Sequence, residues 1–126
     1  MREEPDPQVV RWLDGQPRTS IWTTSINVYE IRSGLLAMPA GKRRTSRVLA
    51  FEYLLNETIQ RRIAAFDVTA AEQAAELEAA AREIGRPREP RDTMIAGIVL
   101  ANHATLATRN VKHFEDIAKW VVNPWE

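Results

Sequence analysis

Three residues of this chain carry oxygen donors at positions from which they could share a site: Glu30, Asp92 and Asn110. Two carboxylates and an amide oxygen are hard donors, of the kind that hold Mg²⁺ or Mn²⁺. An ion held in this way lowers the pKa of a bound water and neutralises charge on a phosphate under attack. The chemistry they point to is hydrolysis of a phosphodiester bond. Each residue also has a plain structural reading. Glu30 can be the acidic half of a capping box, Asp92 a carboxylate favoured by a helix dipole, and Asn110 the cap of a helix beginning at Val111. Convergence on one edge of the domain is what brings the functional reading level with these.

The convergence follows from the elements that carry the three residues. Residues 92–103 read as an apolar helix and 104–108 as a short strand that stops at Thr108-Arg109-Asn110. Such a helix is about 18 Å long, at about 1.5 Å per residue. The strand returns about 17 Å, at about 3.3 Å per residue. The lengths nearly cancel, so Asp92 and Asn110 are expected at the same edge. Residues 20–26 (SIWTTSI) are rich in β-formers and predict a strand. Asn27 is then expected to cap a helix reaching to about Ala37, with Glu30 at its third position. Ligands of open α/β sheets bind beyond the carboxyl ends of the strands. Glu30 and Asn110 each follow a strand, and Asp92 joins them by length.

The rest of the chain supplies the frame. Residues 6–14 predict a short helix, and Met38-Pro39-Ala40-Gly41 a break. Residues 42–62 read as a long amphipathic helix with Val48, Leu49, Leu55 and Ile59 on its apolar side, followed by a strand over 63–66. Thr69-Ala70-Ala71-Glu72 matches a capping box that opens an alanine-rich helix, ended by Gly85. A basic, proline-punctuated loop, a short helix over 111–117 and a strand over 119–122 complete the pattern. Alternating strands and helices imply an α/β fold with a mostly parallel central sheet flanked by helices. Trp12, Trp22, Trp120 and Trp125 read as packing residues. His103 reads as a residue of a helix C-terminus, and His113, Glu115 and Asp116 as solvated neighbours of the candidate edge, with a supporting role behind the site residues as the alternative. Arg86, Arg88 and Arg91 read as a solvent-facing loop, although such a group can also attract a phosphate backbone.

Composition sets the bounds. A length of 126 residues predicts one domain, 1–126. The absence of cysteine excludes disulfides and a thiolate zinc site. No apolar run reaches the roughly 18 residues of a membrane helix, and the polar start Met1-Arg2-Glu3-Glu4 has no apolar stretch behind it. A cytoplasmic protein is the expectation. With 17 basic and 17 acidic residues the net charge is zero, which removes any inference from bulk charge to nucleic acid without excluding a nuclease. No glycine-rich phosphate loop, nucleophile elbow or histidine-rich metal cluster is present.

The segments around the three donors resemble a known family. Asn27-Val28-Tyr29-Glu30-Ile31-Arg32-Ser33-Gly34 resembles the stretch that carries the second acid of PIN-domain ribonucleases. Arg91-Asp92-Thr93-Met94-Ile95-Ala96 resembles the stretch of their third acid. Ala107-Thr108-Arg109-Asn110-Val111-Lys112-His113-Phe114 is similar to the following strand and turn, where the family has Asp or Asn. The close, Val122-Asn123-Pro124-Trp125, is similar to that of plasmid-stability and VapC-type toxins. The resemblance implies a three-layer PIN-like fold and a metal-dependent endoribonuclease, the toxin of a toxin–antitoxin pair. It further implies an RNA substrate, a homodimer and a cognate antitoxin. By carry-over, Glu30 and Asp92 would bind Mg²⁺ or Mn²⁺ and Asn110 would support the ion or its water. The family begins with a short apolar strand ending in Asp-Thr-Asn, whose Asp is the first metal ligand. Met1-Arg2-Glu3-Glu4-Pro5 looks like the segment after that strand. The expectation is therefore an N-terminally truncated PIN-like domain, either from an internal start or as a real shortened product. The alternative function is a catalytically impaired remnant that dimerises or binds antitoxin.

Overall fold

The structure is a computed structural model that describes residues 7–16, 21–108 and 111–123. Its helices are α1 (Pro7–Asp14), α2 (Ser25–Ala37), α3 (Lys42–Tyr53), α4 (Val68–Glu83) and α5 (Pro90–Ala101). Its strands are β1 (Thr23–Thr24), β2 (Ile63–Ala64), β3 (Leu106–Ala107) and β4 (Val121–Val122). The chain forms two compact units, residues 18–65 and residues 66–126 grouped with 1–17. Both described strand pairs are parallel, as the alternating pattern predicts: β1 with β2 in one unit, β3 with β4 in the other.

The unit of residues 18–65 is built on α2 and α3. Leu35, Phe51 and Leu55 are buried together, and Val28, Ile31, Met38, Val48 and Ile63 pack around them. Positions 48, 51, 55 and 59 recur at spacings of three and four, which is one face of a helix. Leu49 stands one position off that face and is 64% exposed, so the predicted apolar side is corrected to one that uses Phe51 instead. The predicted single helix over 42–62 also ends early. After Tyr53 the chain winds into a π-helical turn, Leu54–Thr58, with the Ile59 amide donating to the Leu54 carbonyl at 2.9 Å. Gln60 and Arg61 then take left-handed backbone angles, φ 54° and 59°. Two such residues in a row end a helix, since L-residues occupy this region at a cost of about 1–2 kcal/mol each. Arg61 Nε donates to Asn56 Oδ1 at 2.7 Å across this turn.

The start of α2 differs from expectation in a way that matters for Glu30. The predicted strand over 20–26 is only Thr23–Thr24, and residue 20 lies outside the described residues. Thr24, in extended conformation, is the cap: its Oγ1 accepts from the Asn27 amide at 3.0 Å. Asn27 is therefore the third helical residue, and Glu30 lies in the middle of α2 rather than in a capping box. With so short a ladder, Trp22 stays outside the pairing and is 57% exposed, contrary to its expected packing role. A similar shift occurs at α4. The cap is Asp67, whose Oδ1 accepts from the Ala70 amide at 2.9 Å, and Thr69 sits inside the helix.

In the other unit α4 and α5 pack at very short range. A Cβ on Gly97 would lie 2.4 Å from the Ala70 carbonyl oxygen and 2.9 Å from Ala74 Cβ. The small residues of α4 permit this approach. From Ile95 to Val99 every residue of α5 is buried. Gly85, at φ 68°, turns the chain out of α4. Beyond β3 the chain runs in 3₁₀ turns over Val111–Trp120, broken at Phe114 and Ile117, whose side chains are buried. The predicted short helix is thus a tighter, kinked segment. None of the described helices is long and apolar enough to cross a membrane.

Candidate active site

Asp92 is the best-defined member of the predicted set. Glu89 caps α5, its Oε2 accepting from the Asp92 amide at 2.9 Å. That hydrogen bond is the main reason the Glu89 carboxyl is held below its ordinary value. Pro90 occupies the first turn, where its missing N–H is not needed. Asp92 itself lies in the first turn, where the helix dipole favours a negative charge.

Its carboxylate is held as well. His113 Nδ1 lies 2.8 Å from Asp92 Oδ2. A carboxylate only accepts, so Nδ1 carries the hydrogen and donates it, whatever the state of the other ring nitrogen. Asp92 Oδ1 has no partner among the described residues. The Asp92 side chain keeps 22% of its exposure and that of His113 57%. The result is a carboxylate oriented by a partner in the segment that follows β3, its other oxygen open among the described residues.

A second link joins the same two segments. Arg88, in the loop before α5, pairs through Nη1 with both oxygens of Asp116. Its Nε donates to Thr93 Oγ1 at 3.1 Å, and Thr93 Oγ1 donates in turn to the Glu89 carbonyl at 2.9 Å. The guanidinium lies over the Phe114 ring, 5.9 Å from its centroid. The Arg88 side chain is only 7% exposed, which corrects the expectation of a solvent-facing arginine. Asp116, expected to be solvated, is its ion-pair partner at 40% exposure.

Glu30 belongs to the unit of residues 18–65. It is half-buried and makes no hydrogen bond or ion pair with another described residue. Asn110, Arg109 and Trp125 lie outside the described residues. The structure thus brings His113 to Asp92, and leaves the rest of the predicted set to other support. His113, which the sequence offered as a supporting residue only in its alternative reading, stands against Asp92, and the burial of Arg88 is what reading the sequence missed. The cancelling helix and strand lengths already carried the signal for His113, because they return the chain to Asp92. Arg88 left no such trace.

The donors fit a hard divalent cation in kind: an open Asp92 oxygen, a second carboxylate on Glu30 and the amide of Asn110. Among the described residues, no three histidines or acids stand close enough to complete such a site.

Comparison with known proteins places the chain. The PIN domain matches residues 1–119. The plasmid stability protein StbB of Pseudomonas syringae pv. tomato is 39% identical over 125 residues, covering 99% of this chain and 90% of its own. The VapC ribonuclease Y4jK of Sinorhizobium fredii is 36% identical over 125 residues, covering 99% and 89%. In the structure of FitAB bound to an IR36 DNA fragment, the matching chain superposes with a TM-score of 0.89 at 28% identity, over 99% of this chain and 87% of that one. The chain belongs to the PIN-domain family, in its VapC-type toxin branch.

Proposed function

We propose that the chain is an endoribonuclease, the toxin of a toxin–antitoxin pair, with Glu30, Asp92 and Asn110 forming its site. The observation that carries this is an Asp92 carboxylate held by His113 with one oxygen open, in a chain 36% identical to a VapC ribonuclease. Glu30 and Asp92 would ligate Mg²⁺ or Mn²⁺, and Asn110 would support the ion or its water. When bound, the ion supplies a more acidic water and charge neutralisation at the phosphate. The chain's own residues do the positioning. Glu89 fixes the backbone of Asp92, His113 fixes its carboxylate, and Arg88 with Asp116 fixes the segment that carries His113. RNA is the substrate and the cytoplasm the place of action.

A cognate antitoxin and a second copy of the chain are the proposed protein partners. Their support is apolar surface on α2 and α3: Tyr29 and Leu36 are each 58% exposed, Leu49 64% and Tyr53 66%. Tyr29 and Leu36 are seven positions apart on α2, and Leu49 and Tyr53 four apart on α3, spacings that put each pair on one face of its helix, and exposed apolar faces mark interaction surfaces.

The test is cleavage of single-stranded RNA by the purified chain with Mg²⁺, with Mn²⁺ and with chelator. Cleavage is expected with either ion, none with chelator, and none for Asp92→Ala or Glu30→Ala. Cleavage that survives both substitutions would sink this site. A chain that binds the antitoxin but never cleaves would favour the impaired remnant.

A further inference from the structure

The net charge of zero conceals a strong local segregation. Between Glu30 and Glu52 the chain has five cations, Arg32, Lys42, Arg43, Arg44 and Arg47, and no acid. Four of the five fall within six residues at the start of α3, whose first turn has no acidic residue. That is the wrong end of a helix for cations, because the dipole there is positive. Like charges one turn apart, as Arg43 and Arg47 are, repel as well. Lys42, Arg43 and Arg44 pair with no carboxylate among the described residues. Arg32 is paired with Glu52, so the cations that folding leaves without a carboxylate are the three at the start of α3.

Beside this cluster is an open recess of about 520 Å³. Its lining includes the cations Lys42, Arg43 and Arg47 and the apolar Met38, Pro39 and Ala40. Cations and apolar residues lining one open recess suit a chain of phosphates whose sugars and bases also need a surface. An acidic patch or a dry apolar cleft would not.

We propose that this recess binds the backbone of single-stranded RNA, holding the substrate by a stretch other than the bond that is cut. The proposal rests on the ribonuclease reading for its choice of RNA, and its test is separate from cleavage. Lys42, Arg43 and Arg44 meet phosphates without sequence preference, and Arg47 adds its charge to the wall of the recess.

The experiment is fluorescence anisotropy of a labelled single-stranded RNA with the full chain, in chelator so that nothing is cut, across a series of salt concentrations. The triple variant Lys42→Gln/Arg43→Gln/Arg44→Gln is expected to bind at least about tenfold more weakly. Its slope of log affinity against log salt should be shallower by about 2, at about 0.7 for each phosphate that is no longer neutralised on a single strand. A control, Arg11→Gln/Arg82→Gln/Lys119→Gln, removes the same charge elsewhere and should keep the slope. Thermal melting checks that both variants are folded. Unchanged affinity and slope in the first variant overturn the proposal, and so does an equal loss in the control. Duplex DNA competing as well as the RNA reassigns the recess to DNA and overturns it. Intact RNA binding with lost antitoxin binding reassigns it to a protein partner and does the same. A chain that binds RNA through these residues but never cleaves defeats the ribonuclease reading and leaves this one standing.

Discussion

His113 and Asp92, 21 residues apart in sequence, share a hydrogen bond of 2.8 Å between Nδ1 and Oδ2. One belongs to the 3₁₀ segment after β3 and the other to the first turn of α5. The bond leaves a single oxygen of Asp92 open among the described residues, so the ring decides which way that oxygen faces. Removing partners of this type costs tenfold to hundredfold, roughly, in metal affinity or activity. His113→Leu is expected to lose about tenfold or more in both Mn²⁺ affinity, measured by calorimetry, and RNA cleavage. His113→Asn, whose amide nitrogen can stand where Nδ1 stood, should recover much of each. Equal values for the leucine and asparagine variants would remove the orienting role.

Arg88 and Asp116 are unequally buried, at 7% and 40% of side-chain exposure. Their removal is therefore not symmetric. Asp116→Ala strands a guanidinium that already has one buried nitrogen, Nη2, without a partner among the described residues. Arg88→Met keeps the apolar stem on Phe114 and leaves a carboxylate that water can reach. Urea unfolding should show roughly 2 kcal/mol lost for the first and less than about 1 kcal/mol for the second. The reverse order would contradict the burial argument.

Gly97 admits no side chain. The clash of an added Cβ is with a backbone carbonyl and a short side chain, neither of which can swing away. Gly97→Ala should cost roughly 1–3 kcal/mol by overpacking, despite the better helix propensity of alanine. A variant as stable as the parent in urea unfolding would show that α4 and α5 can part freely.

Glu89 gives a pH dependence of known sign. Its carboxyl is held low in the folded chain, first by the hydrogen bond from the Asp92 amide. A group depressed on folding stabilises above its unfolded value and loses that contribution as pH falls through the folded one. Glu89→Gln keeps an acceptor oxygen and removes the charge. Its melting temperature should fall slightly below the parent's at neutral pH, and the two should meet in acid, once the pH is below the ordinary carboxylate range. A gap that persists in acid would assign the effect to packing.

Much of this was legible in the residues. The apolar helix and short strand around Asp92 return the chain to its own starting edge, and His113 is found there. Helix ends marked by Gly85 and by the break at 38–41 stand where the sequence puts them. The errors share a cause. Thr24 and Asp67 each compete with a nearby residue that also matches a cap pattern, and the earlier residue of each pair wins because its extended backbone fits the cap. Leu49 looks like core until the π-helical turn and Phe51 define which face is buried. Arg88 could not be read, because a buried arginine is chosen by partners 5 to 28 residues away, Thr93 and Asp116, and by no local period.

The division of the chain into units has a consequence for its birth. Residues 18–65 form one unit from a continuous stretch, while α1 groups with the chain from Phe66 onward. The first can fold as it leaves the ribosome, since domains generally form as units during synthesis. The second stays open until β4, its last strand, emerges to pair with β3. A nascent chain thus displays Asp92 well before it has the histidine that aims it, and emergence of the segment after β3 is the event that completes the pair.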